Sequence, residues 1–184
     1  MKRIFLLNFL IIMSAFICNT VYAGDMPLSN QSGRQIASLL NSVEIQSKLS
    51  RKLGRLSNYS FMKSENGKNV YKAVIDGGTP VNGTFIFEED MNGRLYDIAC
   101  IYNINDIGMR DKCMGIIAFY LACAGVDIKT ISSLVDNLKF SNKVAGSQVY
   151  VPSLGGFLTM AGGLMPELPQ NIVMGFSLTS YRFQ

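Results

Sequence analysis

RLYDIACIYNI (Arg94–Ile104), followed after a polar link by CMGIIAFYLACA (Cys113–Ala124), decides the fold. In the first segment Tyr96, Ile98, Cys100, Tyr102 and Ile104 share one face, and Leu95, Asp97, Ala99, Ile101 and Asn103 share the other. This period of two, rich in β-branched and aromatic residues, predicts a half-buried strand with Cys100 on its apolar side. Asn105 or Asp106 can cap a following helix and Gly125 can end it. That helix is apolar on every side, so it belongs in a core or a membrane. A spanning helix needs roughly 20 apolar residues. The run is much shorter, and a buried core helix is the expectation.

Upstream, Ser32–Leu56 has helical periodicity. Ile36, Leu40 and Val43 make one stripe, and Ile45, Leu49, Leu53 and Leu56 a second, rotated one. The slip near Glu44 predicts a bend or two helices end to end. Lys48, Arg51, Lys52 and Arg55 form a basic row beside the second stripe. It is either a solvated face or a surface for an anionic partner. Three Asn-Gly pairs follow, Asn66-Gly67, Asn82-Gly83 and Asn92-Gly93. Asn-Gly suits the two positive-φ positions of a tight hairpin. They divide Ser60–Ser64, Asn69–Ile75, Thr84–Glu89 and Arg94–Ile104 into an antiparallel meander of about four strands.

Downstream, Asp127 caps an amphipathic helix with Ile128, Ile131, Leu134, Val135 and Leu138 on its buried side. Strand character returns from Lys143, in Gln148–Val151, an apolar glycine-rich segment through Leu164, and Asn171–Phe183. The class is α+β: antiparallel meanders packed on a buried central helix and amphipathic flanking helices. Helix-then-meander occurs twice, in 32–104 and 107–183, and raises a pseudo-repeat without residue-level identity. The segment GGFLTMAGGLMPELP (Gly155–Pro169) has two readings. It is a buried hairpin with bulges at its glycines, or an adaptable binding loop presenting Phe157, Met160 and Met165.

Met1–Ala23 reads as a secretory leader: Lys2 and Arg3, an apolar run Ile4–Cys18, and a small-residue cleavage site at Val21-Tyr22-Ala23. Ile17 before Cys18 does not suit a lipobox, so cleavage is expected after Ala23. Residues 24–184 then form one α+β domain. Net charge is +4, and removing Lys2 and Arg3 lowers it to +2, too mild to suggest nucleic acid. No transmembrane helix is expected in the processed chain. Asn30-Gln31-Ser32, Asn58-Tyr59-Ser60 and Asn82-Gly83-Thr84 are formal glycosylation acceptors, relevant only to a eukaryotic route.

Cys100, Cys113 and Cys123 enter an oxidising compartment on this reading, which suggests one bridge and one spare thiol. Ten helical residues at ~1.5 Å each separate Cys113 from Cys123 by about 15 Å. A bridge needs Cα atoms within roughly 7 Å. Cys100 is therefore a partner, with Cys113 preferred across the short strand–helix link. Three buried free thiols are the alternative.

The chain has no histidine. Ser-His-Asp and Cys-His catalysis and His-based zinc sites are thereby excluded. Ser60-Phe61-Met62-Lys63 matches S-x-x-K, but it lies in an expected strand rather than at a helix start, with no K-T-G following. Glu88, Asp90, Asn92 and Gly93 imitate half a calcium loop, yet Ala99 stands where the bidentate glutamate belongs. Glu88, Glu89 and Asp97 are the carboxylates a glycosidase-like cleft would use. The final strand, closing at Tyr181-Arg182-Phe183-Gln184, resembles the terminal signal of bacterial outer-membrane β-barrels. The resemblance covers one strand, Gln184 departs from it, and the chain has no tryptophan for an interfacial girdle.

The expectation is an exported, non-enzymatic protein-binding module of the bacterial envelope, an inhibitor or immunity protein or an accessory subunit of a secretion or pilus machine. It has no cofactor and no metal, a protein partner, and at most peripheral membrane contact. The alternatives are a small envelope hydrolase or ligand-binding protein using carboxylates in a cleft, and an outer-membrane barrel.

Overall fold

The computed structural model describes residues 24–48, 53–137 and 145–182. After an extended N-terminal segment come α1 (Gly33–Leu40) and α2 (Val43–Lys48), then a meander of β1 (Leu56–Glu65), β2 (Lys68–Thr79), β3 (Asn82–Asp90) and β4 (Leu95–Asn103). Helices α3 (Ile107–Cys123) and α4 (Ile128–Asn137) lead into a second meander of β5 (Ala145–Val151), β6 (Gly156–Met165) and β7 (Leu168–Thr179). The two meanders make one antiparallel sheet of seven strands, in the order β1-β2-β3-β4-β7-β6-β5. They meet at the β4–β7 seam, where Cys100 pairs with Met174 and Ile101 with Val173. A helix-plus-meander repeat is not evident beyond that succession of elements.

Within Ser32–Leu56 the helix breaks between Leu40 and Val43, beside the slip at Glu44, into α1 and α2. Ser32 caps α1 in a capping box with Gln35. Asn41 then stops it, its amide bonding both the N–H and the carbonyl of Leu56 at 2.9 and 2.6 Å. The side chain of Gln46 bridges Leu40 O and Gly54 O across the break. Side chain–backbone bonds of this kind outcompete the helical ladder, so the periodicity continues while the helix does not. Val43, expected on the buried stripe, is 80% exposed.

The hairpins also depart from expectation. Only Asn66-Gly67 has both residues at positive φ, 51° and 75°. The β2–β3 turn falls on Pro80-Val81, one step before Asn82, which already lies in β3. Asn82 is drawn into the sheet because its side chain donates to Asp106 Oδ2 (2.9 Å) and accepts from the Asn103 N–H (3.0 Å). It ties the end of β4 to the start of α3. At the third pair, Asp90 Oδ1 accepts the N–H groups of Asn92 and Arg94, and only Gly93 takes positive φ.

The main core lies between the helices and one sheet face. Ile98, Cys100 and Tyr102 of β4 meet Cys113, Ile117 and Tyr120 of α3 there. One face of the helix, Met109, Cys113, Ile116, Ile117, Tyr120 and Leu121, is buried, while Met114, Ala118, Phe119 and Cys123 are half-buried and Ala122 is exposed. The burial on every side expected from its apolarity is therefore met in part. Asp106 caps it, bonding the Met109 N–H, and Asp127 bonds the N–H groups at the start of α4. The Val135 side chain and Leu138 lie outside the described residues. The other sheet face carries a second buried apolar cluster of Val70, Ile86, Ala99, Ile101, Met165 and Val173. No described helix contributes to it. Among the described residues no helix is long and apolar enough to cross a membrane.

Candidate functional site

The most chemically unusual group of side chains sits at one end of the β4–β7 seam. Period two places Lys68 on the β2 face with Val70, Glu88 on the β3 face with Ile86, and Asp97 on the β4 face with Ala99. All three therefore point to the helix-free side, and strand pairing sets Glu88 opposite Asp97. Lys68 Nζ lies 3.4 Å from Glu88 Oε2 and 3.3 Å from Asp97 Oδ2. The same ammonium sits 4.6 Å above the centre of the Tyr96 ring. Asp97 is 5% exposed. Burial and the Glu88 charge lift its carboxyl to about 7 against the pull of Lys68 and the Gly24 N–H.

Gly24 completes the group. Its N–H donates to Asp97 Oδ1 at 3.1 Å, and its carbonyl accepts from Lys68 Nζ at 3.1 Å. The route of the chain explains its presence. Pairing between β4 and β7 ends at Asp97 and Ser177, after which Met26 pairs with Leu178 and Ser29 with Leu95. The N-terminal segment thus wedges between the two strands as they part. Gly24 lies on the helix-free side, whereas Leu28 is already in the helix-side core. A Cβ on Gly24 would stand 2.8 Å from Leu178 O, so the close approach requires glycine.

Glu89 faces the opposite way. A bulge separates it from Glu88, and its Oε1 accepts the Gly33 N–H and the Tyr59 hydroxyl, each at 2.7 Å. Tyr120 closes the cluster by donating to Gly33 O at 2.7 Å. Burial and the Glu89 carboxylate push the Tyr59 hydroxyl well above the ordinary phenol range. The Tyr59, Phe87 and Tyr120 rings stack successively at 5.2 and 5.3 Å. Glu89 acts as an anionic cap on α1.

The three carboxylates named from sequence are consequently not one cleft. Glu88 and Asp97 meet, and Glu89 is on the other side of the sheet. Among the described residues no group of three His, Cys, Asp or Glu side chains is arranged to hold a metal.

The remaining sequence-selected residues are scattered. Lys48 ends α2 and pairs with Glu44, both exposed. Arg51 and Lys52 lie outside the described residues, and Arg55 is exposed just before β1. Whether the row shares one helix turns on residues 49–52, which lie outside the described residues. Gly155–Pro169 is the Val151–Gly156 turn exit, strand β6 and the tight turn into β7, rather than an extended loop. Met160 is buried in the helix-side core and Met165 in the cluster on the helix-free face. Phe157 is half-buried, edge-on to Tyr150 at 5.2 Å.

Cys100, Cys113 and Cys123 carry free thiols. The expected Cys100–Cys113 bridge is absent from this structure, in which both thiols are reduced and buried. The two come from different layers, sheet and helix, and their thiols meet by hydrogen bonding; burial first, and then this neighbour, raises the Cys100 thiol. Lys68, Gly24, Tyr59 and Tyr120 were not singled out from sequence. For Lys68 the signal was available: a lysine in register with Val70 on a strand face that turns out to be buried.

No protein-family model matches the chain, and no curated protein or solved structure matches it significantly.

Proposed function

We propose that the chain is an exported, non-enzymatic module of the bacterial cell envelope that acts by binding another protein, as an inhibitor or immunity protein or a secretion or pilus accessory subunit does. The observation that supports it is the helix-free sheet face. Val70, Ile86, Ile101, Met165 and Val173, each 5% exposed or less, pack into an apolar centre there. It is edged by Lys68, Glu88 and Asp97 and by the partly buried Met62 and Leu168, through which a partner would reach it. One-sided antiparallel sheets usually present polar residues on the face without helices. An apolar centre with a charged border is how protein interfaces are composed. The occupant fitting this border is a protein segment with an apolar stripe flanked by charge.

Photo-crosslinkers at Met62 and Leu168, partly buried beside this cluster, test the reading against one at Ile128, which is 66% exposed at the start of α4 rather than on the buried side expected for it. A stoichiometric envelope partner captured from positions 62 and 168 but not from 128 supports it. Capture from 128 alone, or from none of the three, overturns it. Export also carries the expectation of a Cys100–Cys113 bridge. Thiol titration of the unfolded, exported protein would read one free thiol with the bridge and three without it.

A further inference from the structure

We propose that Gly24 is the first residue of the processed chain, and that the α-ammonium group released there locks the N-terminus by a buried ion pair with Asp97. The inference rests on the export reading for its cleavage event and on the fold for everything else. Two independent lines meet at one residue. The leader ends its small-residue motif at Ala23. The fold separately places the Gly24 nitrogen 3.1 Å from a carboxylate oxygen, in a position that only glycine can occupy.

Charge bookkeeping supplies the reason. In the intact chain the cluster holds two carboxyl groups, Glu88 and Asp97, and one cation, Lys68. It lacks one positive charge, and the raised Asp97 carboxyl reflects that deficit together with its burial. Hydrolysis of the Ala23–Gly24 bond by a membrane leader peptidase adds one water. The Ala23 carbonyl carbon takes the hydroxyl, and the Gly24 nitrogen takes a proton and leaves as an amine. At neutral pH that amine binds a further proton from solvent. An amide N–H already aimed at Asp97 thus becomes a full cation at the same place, and two cations face two carboxylates. An uncompensated buried charge is far costlier than a paired one, so processing tightens the wedge that holds β4 and β7 together.

The pH signature follows from the groups facing Asp97, namely Glu88 from β3, Lys68 from β2 and the Gly24 nitrogen. With an amide at Gly24, the folded Asp97 pKa of about 7 exceeds the unfolded value near ~3.9. The folded state then holds more protons between these values, and stability falls as pH rises from about 4 to 7. With an ammonium at Gly24, Asp97 ionises more readily and that decline flattens. The ammonium is itself raised above its unfolded pKa of about 8. Its contribution is complete below that value and is lost as pH rises through the folded one.

The test compares two forms. One is the full chain exported and processed by a bacterial host. The other is a chain whose removable tag leaves one serine ahead of Gly24. Intact mass of the first should begin at Gly24. Its Tm near pH 7 should exceed that of the serine-extended form by about 5 °C or more. The gap should close above about pH 9 and vanish between the two forms of Asp97→Asn. An amine-directed reagent should label the processed α-amine slowly until the protein is unfolded, a readout independent of the Asn variant's stability. A mass that retains the leader overturns the export reading along with the lock. A Gly24 start with equal Tm values and a freely labelled amine overturns the lock alone.

Discussion

Glu88 and Glu89 are neighbours in sequence and do opposite things. One faces Lys68 on the helix-free side, and the other caps α1 beneath the aromatic stack. Their letters are identical and only the strand's alternation separates them. Glu89 is 5% exposed and accepts from two donors, the buried Gly33 N–H and the part-buried Tyr59 hydroxyl. Glu89→Ala should therefore cost about 3 kcal/mol or more, since each buried donor left alone costs about 1–3 kcal/mol. Glu89→Gln keeps an acceptor and should cost about 1 kcal/mol, and Tyr59→Phe, which removes one bond to a charged group, about 1.5–3 kcal/mol. Urea unfolding measures all three. An Ala variant no less stable than the Gln variant would show that the cap on α1 is not what Glu89 provides.

Elements were legible wherever a strong periodic signal met no competing side chain. The core helix, the first meander and the cap at Asp127 follow from periodicity and capping letters alone. The exact break after Leu40 and the shift of the turn off Asn82-Gly83 did not, for one physical reason. Asn41 and Asn82 spend their amides on distant backbone and side-chain groups, and neither partner is visible in a local window. The polar cluster was half legible: Glu88 and Asp97 were named, whereas Lys68 and Gly24 reach them only through a strand pairing and a chain crossing far apart in sequence. The hairpins give a direct comparison. Gly67 has φ 75° with nothing within 4 Å of an added Cβ, whereas at Gly83, φ 87°, that Cβ would meet Met109 Sδ at 2.7 Å. Gly67→Ala should cost about 1 kcal/mol of backbone strain. Gly83→Ala should cost about 1–3 kcal/mol more, because the buried Met109 must shift as well. Equal losses in thermal denaturation would remove the Gly83–Met109 contact from the account. In α3, Ile117 is 1% exposed in the main core, so Ile117→Asp should abolish folding, while Ile117→Val should cost about 0.5–1.5 kcal/mol. A soluble Asp variant with a native circular dichroism spectrum would contradict the placement of the helix.

At the scale of the molecule, the halves that the sequence offers as a repeat are joined too thoroughly to act as separate units. Strands β4 and β7 share a seven-pair seam from Asp97–Ser177 to Asn103–Asn171. The N-terminal segment is wedged between their ends, and one core cluster runs from Leu28 through α3 to Leu178. Neither meander can open without uncovering the face of α3 that the other needs, because Cys113, Ile116, Ile117, Tyr120 and Leu121 are all buried in the shared core. Urea unfolding should therefore be a single transition. Far-ultraviolet circular dichroism and tyrosine fluorescence should give coincident curves and one m-value, about 1–3 kcal/mol/M. A double-mutant cycle locates the coupling. Ile101→Ala and Val173→Ala, directly opposed across the seam and both buried, should be non-additive by about 0.5 kcal/mol or more, without splitting the transition. Two separated transitions, one keeping the β1–β4 signal while the other is lost, would instead mean that 32–104 and 107–183 are independent folding units that merely share an edge.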